Sequence, residues 1–222
     1  MGQVRRTDWV EEHFGKFGWK EEPARPGAIV ILGEWARQNL VSLPAPLPIA
    51  DSKGRPVKEI RCHRLIAVPL RRALEELATE KLTHLVNTFD GCFEPRHKSW
   101  DKQRALSRHS WGIAVDLNAR LFPLGSRRKQ DKQLIAAFAR QGFAWGGDWR
   151  TPDPMHFEMA DLHNLMRGLD ILVNGERVAT GFMDDGRVMG SVREIAEALG
   201  ASVEPRLSDG IVQIQSDAEQ WR

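Results

Sequence analysis

Two stretches of this 222-residue chain hold the residues best suited to chemistry: Ser107-Arg108-His109-Ser110-Trp111-Gly112-Ile113-Ala114-Val115-Asp116 and Asp153-Pro154-Met155-His156-Phe157-Glu158. His109, Asp116 and His156 supply two imidazoles and a carboxylate, a donor set that suits tetrahedral Zn²⁺. Three protein ligands leave a fourth position for water, which marks a catalytic rather than a structural metal site. Asp153 stands three residues before His156, with Pro154 stiffening the approach. From there a carboxylate can act as general base toward a water without itself binding the metal.

These side chains converge only if the elements that carry them meet. Gly112 to Asn118 alternates, with Ile113, Val115 and Leu117 on one face and Ala114, Asp116 and Asn118 on the other. Met155 to Met159 alternates too, placing His156 and Glu158 opposite Met155, Phe157 and Met159. If the two segments pair as antiparallel strands, Asp116 and His156 project into one cleft. His109 precedes the first strand, and Gly112 can turn the chain between them. The remaining histidines are read as structural. Trp111, Trp145 and Trp149 can pack in the core or rim, or serve as substrate platforms; Trp111 is carried forward as a substrate-binding candidate.

The other elements follow from periodicity and punctuation. Residues 1–22 read as an amphipathic helix through Trp9, Val10, His13, Phe14 and Phe17, followed by a turn at Pro23–Gly27. Val30–Leu43 looks partly helical, and Ser42–Pro56, with four prolines, looks irregular. Lys58–Val68 reads as a strand leading into a helix with Pro69 in its first turn and a stripe of Leu70, Ala73, Leu74 and Leu77. Val86–Arg104 reads as loop. Asp131 caps a short helix to Arg140 that Gly142 stops. A boundary near Gly168–Asp170 separates residues 1–168 from 169–222. Beyond it, 171–178 reads as a hairpin turning at Asn174-Gly175. Ser191-x-x-Glu194 reads as a capping box for a helix that ends at Gly200, and 210–215 as a final strand.

Composition narrows the class. Hydrophobic residues make up 41% of the chain, enough for a packed core. Thirty-two basic against 30 acidic residues leave a net charge of +2, which gives no electrostatic case for nucleic acid. The basic run Arg127-Arg128-Lys129 is read as a solvated loop. Cys62 and Cys92 are too few for a disulfide scaffold and lack metal-ligand spacing. They are read as buried thiols outside the metal site, with their pairing left open. No apolar leader or span is evident, so the expectation is cytoplasmic synthesis without membrane insertion.

Ser107-x-His109-x-x-Gly112-x-Ala114-x-Asp116 followed by Asp153-x-x-His156 resembles the zinc signature of the D-alanyl-D-alanine carboxypeptidase family of peptidoglycan peptidases. Trp145-Gly146-Gly147-Asp148-Trp149, the Trp35–Pro48 region and Phe89-Asp90-Gly91-x-x-x-Pro95-Arg96 are most similar to its phage-lysin branch of L-alanyl-D-glutamate endopeptidases. The resemblance implies one zinc ion on His109, Asp116 and His156, with Asp153 as catalytic base. It implies that Arg96 is a catalytic and substrate-binding residue, gripping a substrate carboxylate or polarising the scissile carbonyl. Ser107 matches the motif serine, expected to support the substrate site by hydrogen bonding, and Asp148 is left as either a site-supporting or a structural residue. The implied fold is α+β, hedgehog/DD-peptidase-like, with a small antiparallel sheet and flanking helices. The implied activity is hydrolysis of an amide in the peptidoglycan stem peptide by a phage or prophage endolysin that reaches the wall through holin-type release. The alternatives are a D-Ala-D-Ala carboxypeptidase or dipeptidase and a non-catalytic wall-binding or phage structural protein. Residues 169–222, through Val173-Asn174-Gly175, Gly186-Arg187-Val188, Val192 to Ala201 and Val212-Gln213-Ile214, resemble the copper amine oxidase N-terminal-like domain, without copper ligands. Wall binding, or a stabilising or dimerising role, is expected of it.

Overall fold

The computed structural model describes residues 6–162, 169–173, 176–184, 187–189, 192–206 and 211–216. Contacts divide the chain into two compact units, Met1–Leu165 and Met166–Arg222.

The first described element is helix α1 (Thr7–Phe14), shorter than the helix expected across 1–22. The indole N–H of Trp35 donates to the Phe14 carbonyl at 3.0 Å, and that of Trp111 to the Gly15 carbonyl at 2.9 Å. These donors cap the freed carbonyls while Gly15 turns out at φ +83°, where a Cβ would strike the Trp35 indole. The chain continues as strand β1 (Gly18–Glu21), paired antiparallel with β2 (Ile29–Leu32), and a short helix α2 (Trp35–Asn39).

The proline-rich segment is also ordered. Strand β3 (Leu40–Ala50) pairs with β4 (Pro56–His63), its register shifting between Pro44 and Ile49. Among the described residues this sheet has two strands, so each has a free edge, where a missing proline N–H costs no ladder bond. Helix α3 (Arg64–Thr79) starts five residues before Pro69, because His63 caps it: Nδ1 accepts from the Leu65 N–H at 3.2 Å. Pro69 therefore sits inside the helix, its ring buried with Ile66, Leu70, Ala73, Leu74 and Leu77.

The loop expected over 86–104 contains β5 (Phe89–Gly91). It edges a four-stranded antiparallel sheet in the order β5-β6-β8-β7, with β6 (Ala114–Leu117), β7 (Phe143–Trp145) and β8 (His156–Met159). Helix α4 (Lys132–Arg140) enters as the sequence predicts, with the Asp131 side chain accepting from the Gln133 N–H at 2.8 Å. One sheet face packs under helices: Phe138 of α4 lies 4.7 Å, ring to ring, from Phe157 of β8, and α3 packs on α4. Burial of each such ring contributes about 2–3 kcal/mol. The opposite face carries Asp116, His156 and Glu158.

The second unit has a three-stranded sheet of β9 (Leu169–Val173), β10 (Glu176–Asp184) and β11 (Arg187–Met189), ordered β11-β10-β9. Helix α5 (Val192–Ala198) and a hairpin of β12 (Ala201–Arg206) and β13 (Ile211–Ser216) follow. β9 and β10 form the expected hairpin; its turn at Asn174-Gly175 and the Ser191 cap lie outside the described residues. Across both units the architecture is mixed α and β with small antiparallel sheets.

Candidate metal centre

Strand register brings the distant ligand candidates together. Ala114, Val115 and Asp116 face Glu158, Phe157 and His156, so Asp116 and His156 are direct cross-strand partners on the polar face. His109 arrives from a 3₁₀ turn, Arg108–Trp111, that Ser107 caps through its Oγ, which accepts from the His109 N–H at 3.4 Å. Gly112 ends that turn at φ +65°, and a Cβ there would press on His63 N and Leu40. The turn is therefore tight enough to fold His109 back over Asp116.

Ligand atoms of His109, Asp116 and His156 all lie within 4.8 Å of one another. His109 Nε2 is 3.2 Å from Asp116 Oδ2 and 3.2 Å from His156 Nδ1, which is 3.0 Å from Asp116 Oδ1. The opposite ring nitrogens are already committed. His109 Nδ1 donates to the Cys92 carbonyl at 2.8 Å, and His156 Nε2 donates to Glu158 Oε2 at 3.2 Å. With a metal bound, these contacts would fix each imidazole in the tautomer whose lone pair points inward. Two inward lone pairs and a carboxylate repel one another unless a cation stands among them, and N,N,O is a fitting set for zinc. The residues present fit a metal ion.

Electrostatics agree. Burial would raise the Asp116 pKa, but the charges and hydrogen bonds of His109 and His156 hold it well below the usual carboxylate range. Burial opposes a charged His156, yet hydrogen bonds and charge from Asp116 and Glu158 push it up to about 10. The pocket is thus built for positive charge. Glu158 is buried and lies 3.8 Å from the equally buried Arg108. Burial alone would raise the Glu158 carboxyl; His156 and Arg108 lower it.

Asp153 joins from the loop before β8. Its N–H donates to the Gly146 carbonyl at 2.9 Å and its carbonyl accepts from the His156 N–H at 3.0 Å. Oδ1 is buried and has no hydrogen-bond partner among the described residues. Burial raises its pKa, and it feels His156, Asp116, His109 and Arg96. Gly146 makes room: a Cβ there would meet the Asp153 carbonyl at 2.6 Å and the Trp149 ring at 3.3 Å. The Trp149 ring centroid lies 5.3 Å from that of His156.

Arg96 is half-buried, and Asp116, Glu94 and Asp153 all favour its charge against the cost of burial. Ser110 pins its backbone, accepting from the Arg96 N–H at 3.0 Å and donating to its carbonyl at 2.9 Å. Two further candidates lie inside the unit. Trp111 is 1% exposed, with its N–H spent on Gly15 and its ring 4.9 Å from Phe17, so it presents no face to a substrate. Ser107 is buried and supports the site by hydrogen bonding, its Oγ accepting from the His109 N–H. Asp148 lies on the surface, 3.9 Å from Lys129. Cys62 and Cys92 are both buried free thiols, and Cys92 serves the site through its carbonyl alone.

Glu158 and Arg108 border the ligand candidates without a role read from sequence, whereas Trp149 is read there as packing or as a substrate platform. Strand parity carried the signal for Glu158, two residues from His156 on the same face. Nothing in the sequence marks Arg108 as its partner. Residues 100–159 match the family model for D-alanyl-D-alanine carboxypeptidase. That span holds all three ligand candidates and Asp153, but neither Arg96 nor the second unit. The match supports a peptidase of that family and a hydrolase of the metallopeptidase type, with which the buried His109–Asp116–His156 cluster is compatible.

Proposed function

We propose that this protein is a zinc peptidase that hydrolyses an amide bond in the peptidoglycan stem peptide. The observation that carries it is the inward convergence of His109 Nε2, His156 Nδ1 and an Asp116 oxygen, with both outer ring nitrogens tied down. When bound there, zinc supplies Lewis acidity and lowers the pKa of water toward ~7. Asp153 takes the proton of the attacking water on its unpartnered oxygen and passes it to the leaving amine. The upward push of burial on its pKa suits a carboxyl that must hold that proton in transit. Arg96 holds the substrate carboxylate or scissile carbonyl through its guanidinium fork.

Within this reading the bond cut is that of an L-alanyl-D-glutamate endopeptidase of endolysin type. The family description of the matched segment favours a second reading, a D-Ala-D-Ala carboxypeptidase. Mass spectrometry of muropeptides from sacculi digested with zinc-loaded protein separates the two: new L-alanine C-termini mark the first, free D-alanine the second. In the same assay Asp153→Ala lowers turnover by at least ~100-fold while bound zinc stays stoichiometric. Undiminished digestion by that variant removes Asp153 as the base.

A further inference from the structure

Trp100 occupies a position that packing alone does not explain. The residue is 42% exposed, yet the turn that carries it, Lys98–Trp100, is elaborately held. Ser99 and Trp100 both adopt left-handed backbone, φ +56° and +60°, which L side chains rarely enter. Arg104 donates to Ser99 Oγ at 2.7 Å, and the Trp100 N–H donates to the His97 carbonyl at 3.1 Å. Gly27 lets the turn dock, because a Cβ there would lie 2.1 Å from the Trp100 carbonyl oxygen. Consecutive left-handed non-glycine residues persist only where their surroundings force them, and such outliers cluster at ligand-holding sites. Here the forced conformation sets an exposed indole beside two guanidinium groups, with Arg96 Cζ at 5.2 Å and Arg25 Cζ at 5.3 Å from its centroid. Arg25 is itself tied to Glu94, two residues before Arg96, at 2.7 Å, so the cluster is braced on the Arg25 side as well.

We propose that Trp100 is a substrate-contacting and specificity-determining residue: it holds the Arg96 guanidinium in place and lays its exposed surface against the apolar part of the peptide next to the carboxylate that Arg96 grips. The proposal rests on the peptidase reading above and on the role of Arg96 within it. An aromatic face pre-orients a guanidinium and excludes water from its ion pair, so the contact acts on binding more than on the chemical step.

The test is calorimetric titration of a synthetic stem pentapeptide ending in D-alanyl-D-alanine into zinc-loaded protein carrying Asp153→Ala, which blocks turnover. In that background Trp100→Ala weakens binding roughly tenfold, and Trp100→Phe restores most of the loss. Arg96→Lys weakens binding too, and the double variant loses less than the two losses combined. Hydrolysis assays of otherwise unaltered protein show the same change in KM with kcat nearly kept. Binding by Trp100→Ala within twofold of the parent, a Trp100→Phe variant as weak as the alanine variant, or no binding by the parent overturns the proposal. Failure of the unaltered enzyme to digest sacculi is a separate result, and it overturns the peptidase reading itself.

Discussion

Glu158 shows how a residue that touches no substrate sets the properties of the centre. Its carboxylate receives the His156 Nε2–H at 3.2 Å and lies 3.8 Å from Arg108, with all three side chains buried. A buried carboxylate behind a ligand imidazole fixes the ring and raises its basicity toward the metal. Glu158→Gln keeps the shape and one acceptor but loses the charge. Zinc affinity in that variant, measured by chelator competition, falls about 10–100-fold. Glu158→Ala is the poorer test, because it leaves Arg108 as a buried charge without its carboxylate and destabilises the fold as well. An unchanged zinc affinity in Glu158→Gln shows that the carboxylate serves Arg108 rather than His156.

At the level of elements, the end of α3 offers a local test of how the sequence closes a helix. The Leu82 N–H reaches the Leu77 carbonyl at 2.7 Å and the Lys81 N–H the Ala78 carbonyl at 3.1 Å, the two bonds of a Schellman motif. The residue between helix and exit is Lys81, at φ +58° and exposed, where glycine is the usual occupant. Lys81→Gly removes the Cβ penalty and stabilises the unit by about 1 kcal/mol in urea unfolding. A loss of stability shows that the lysine side chain contributes more than its backbone costs. Where such punctuation stands in the sequence, elements were legible: Asp131 and Gly142 bound α4, and strict alternation marked β6 and β8 and put Asp116 opposite His156. Where tertiary contacts decide, they were not. Helix α1 stops at Phe14 because Trp35 and Trp111, remote in sequence, cap it, and β3 forms through its prolines because it pairs along one edge only. The His109–Asp116–His156 cluster was legible because its chemistry and parity are local. The burial of Trp111 and the placement of Trp100 beside Arg96 depend on contacts that no spacing rule reveals.

For the folded unit as a whole, His63 links acid sensitivity to architecture. It is 1% exposed where α1, β4 and α3 meet, its ring 5.0 Å from Phe14 and 5.8 Å from Trp35. Nε2 donates to the Phe14 carbonyl at 3.3 Å while Nδ1 accepts from the Leu65 N–H at 3.2 Å, so the neutral ring satisfies both partners. A proton on Nδ1 would set two donors against each other at the start of α3. Burial lowers the pKa to about 4 from 6.5; the Phe14 carbonyl opposes this and the nearby Arg64 charge adds to it. The folded value lies below the unfolded one, so between about pH 4 and 6.5 the unfolded chain binds the extra proton. The resulting stability is fully present above pH 6.5 and drains away as the pH falls toward 4. From pH 7 to pH 5 the loss is about 2 kcal/mol. Other groups titrate in the same range, so the quantity to measure is the stability difference between the protein and its His63→Asn variant, both metal-free, at the two pH values. Asparagine keeps a capping oxygen but does not titrate. The difference shrinks by about 2 kcal/mol on acidification if the buried neutral imidazole is the acid-sensitive joint of this unit. A difference that stays constant places the proton elsewhere and leaves His63 as a cap alone.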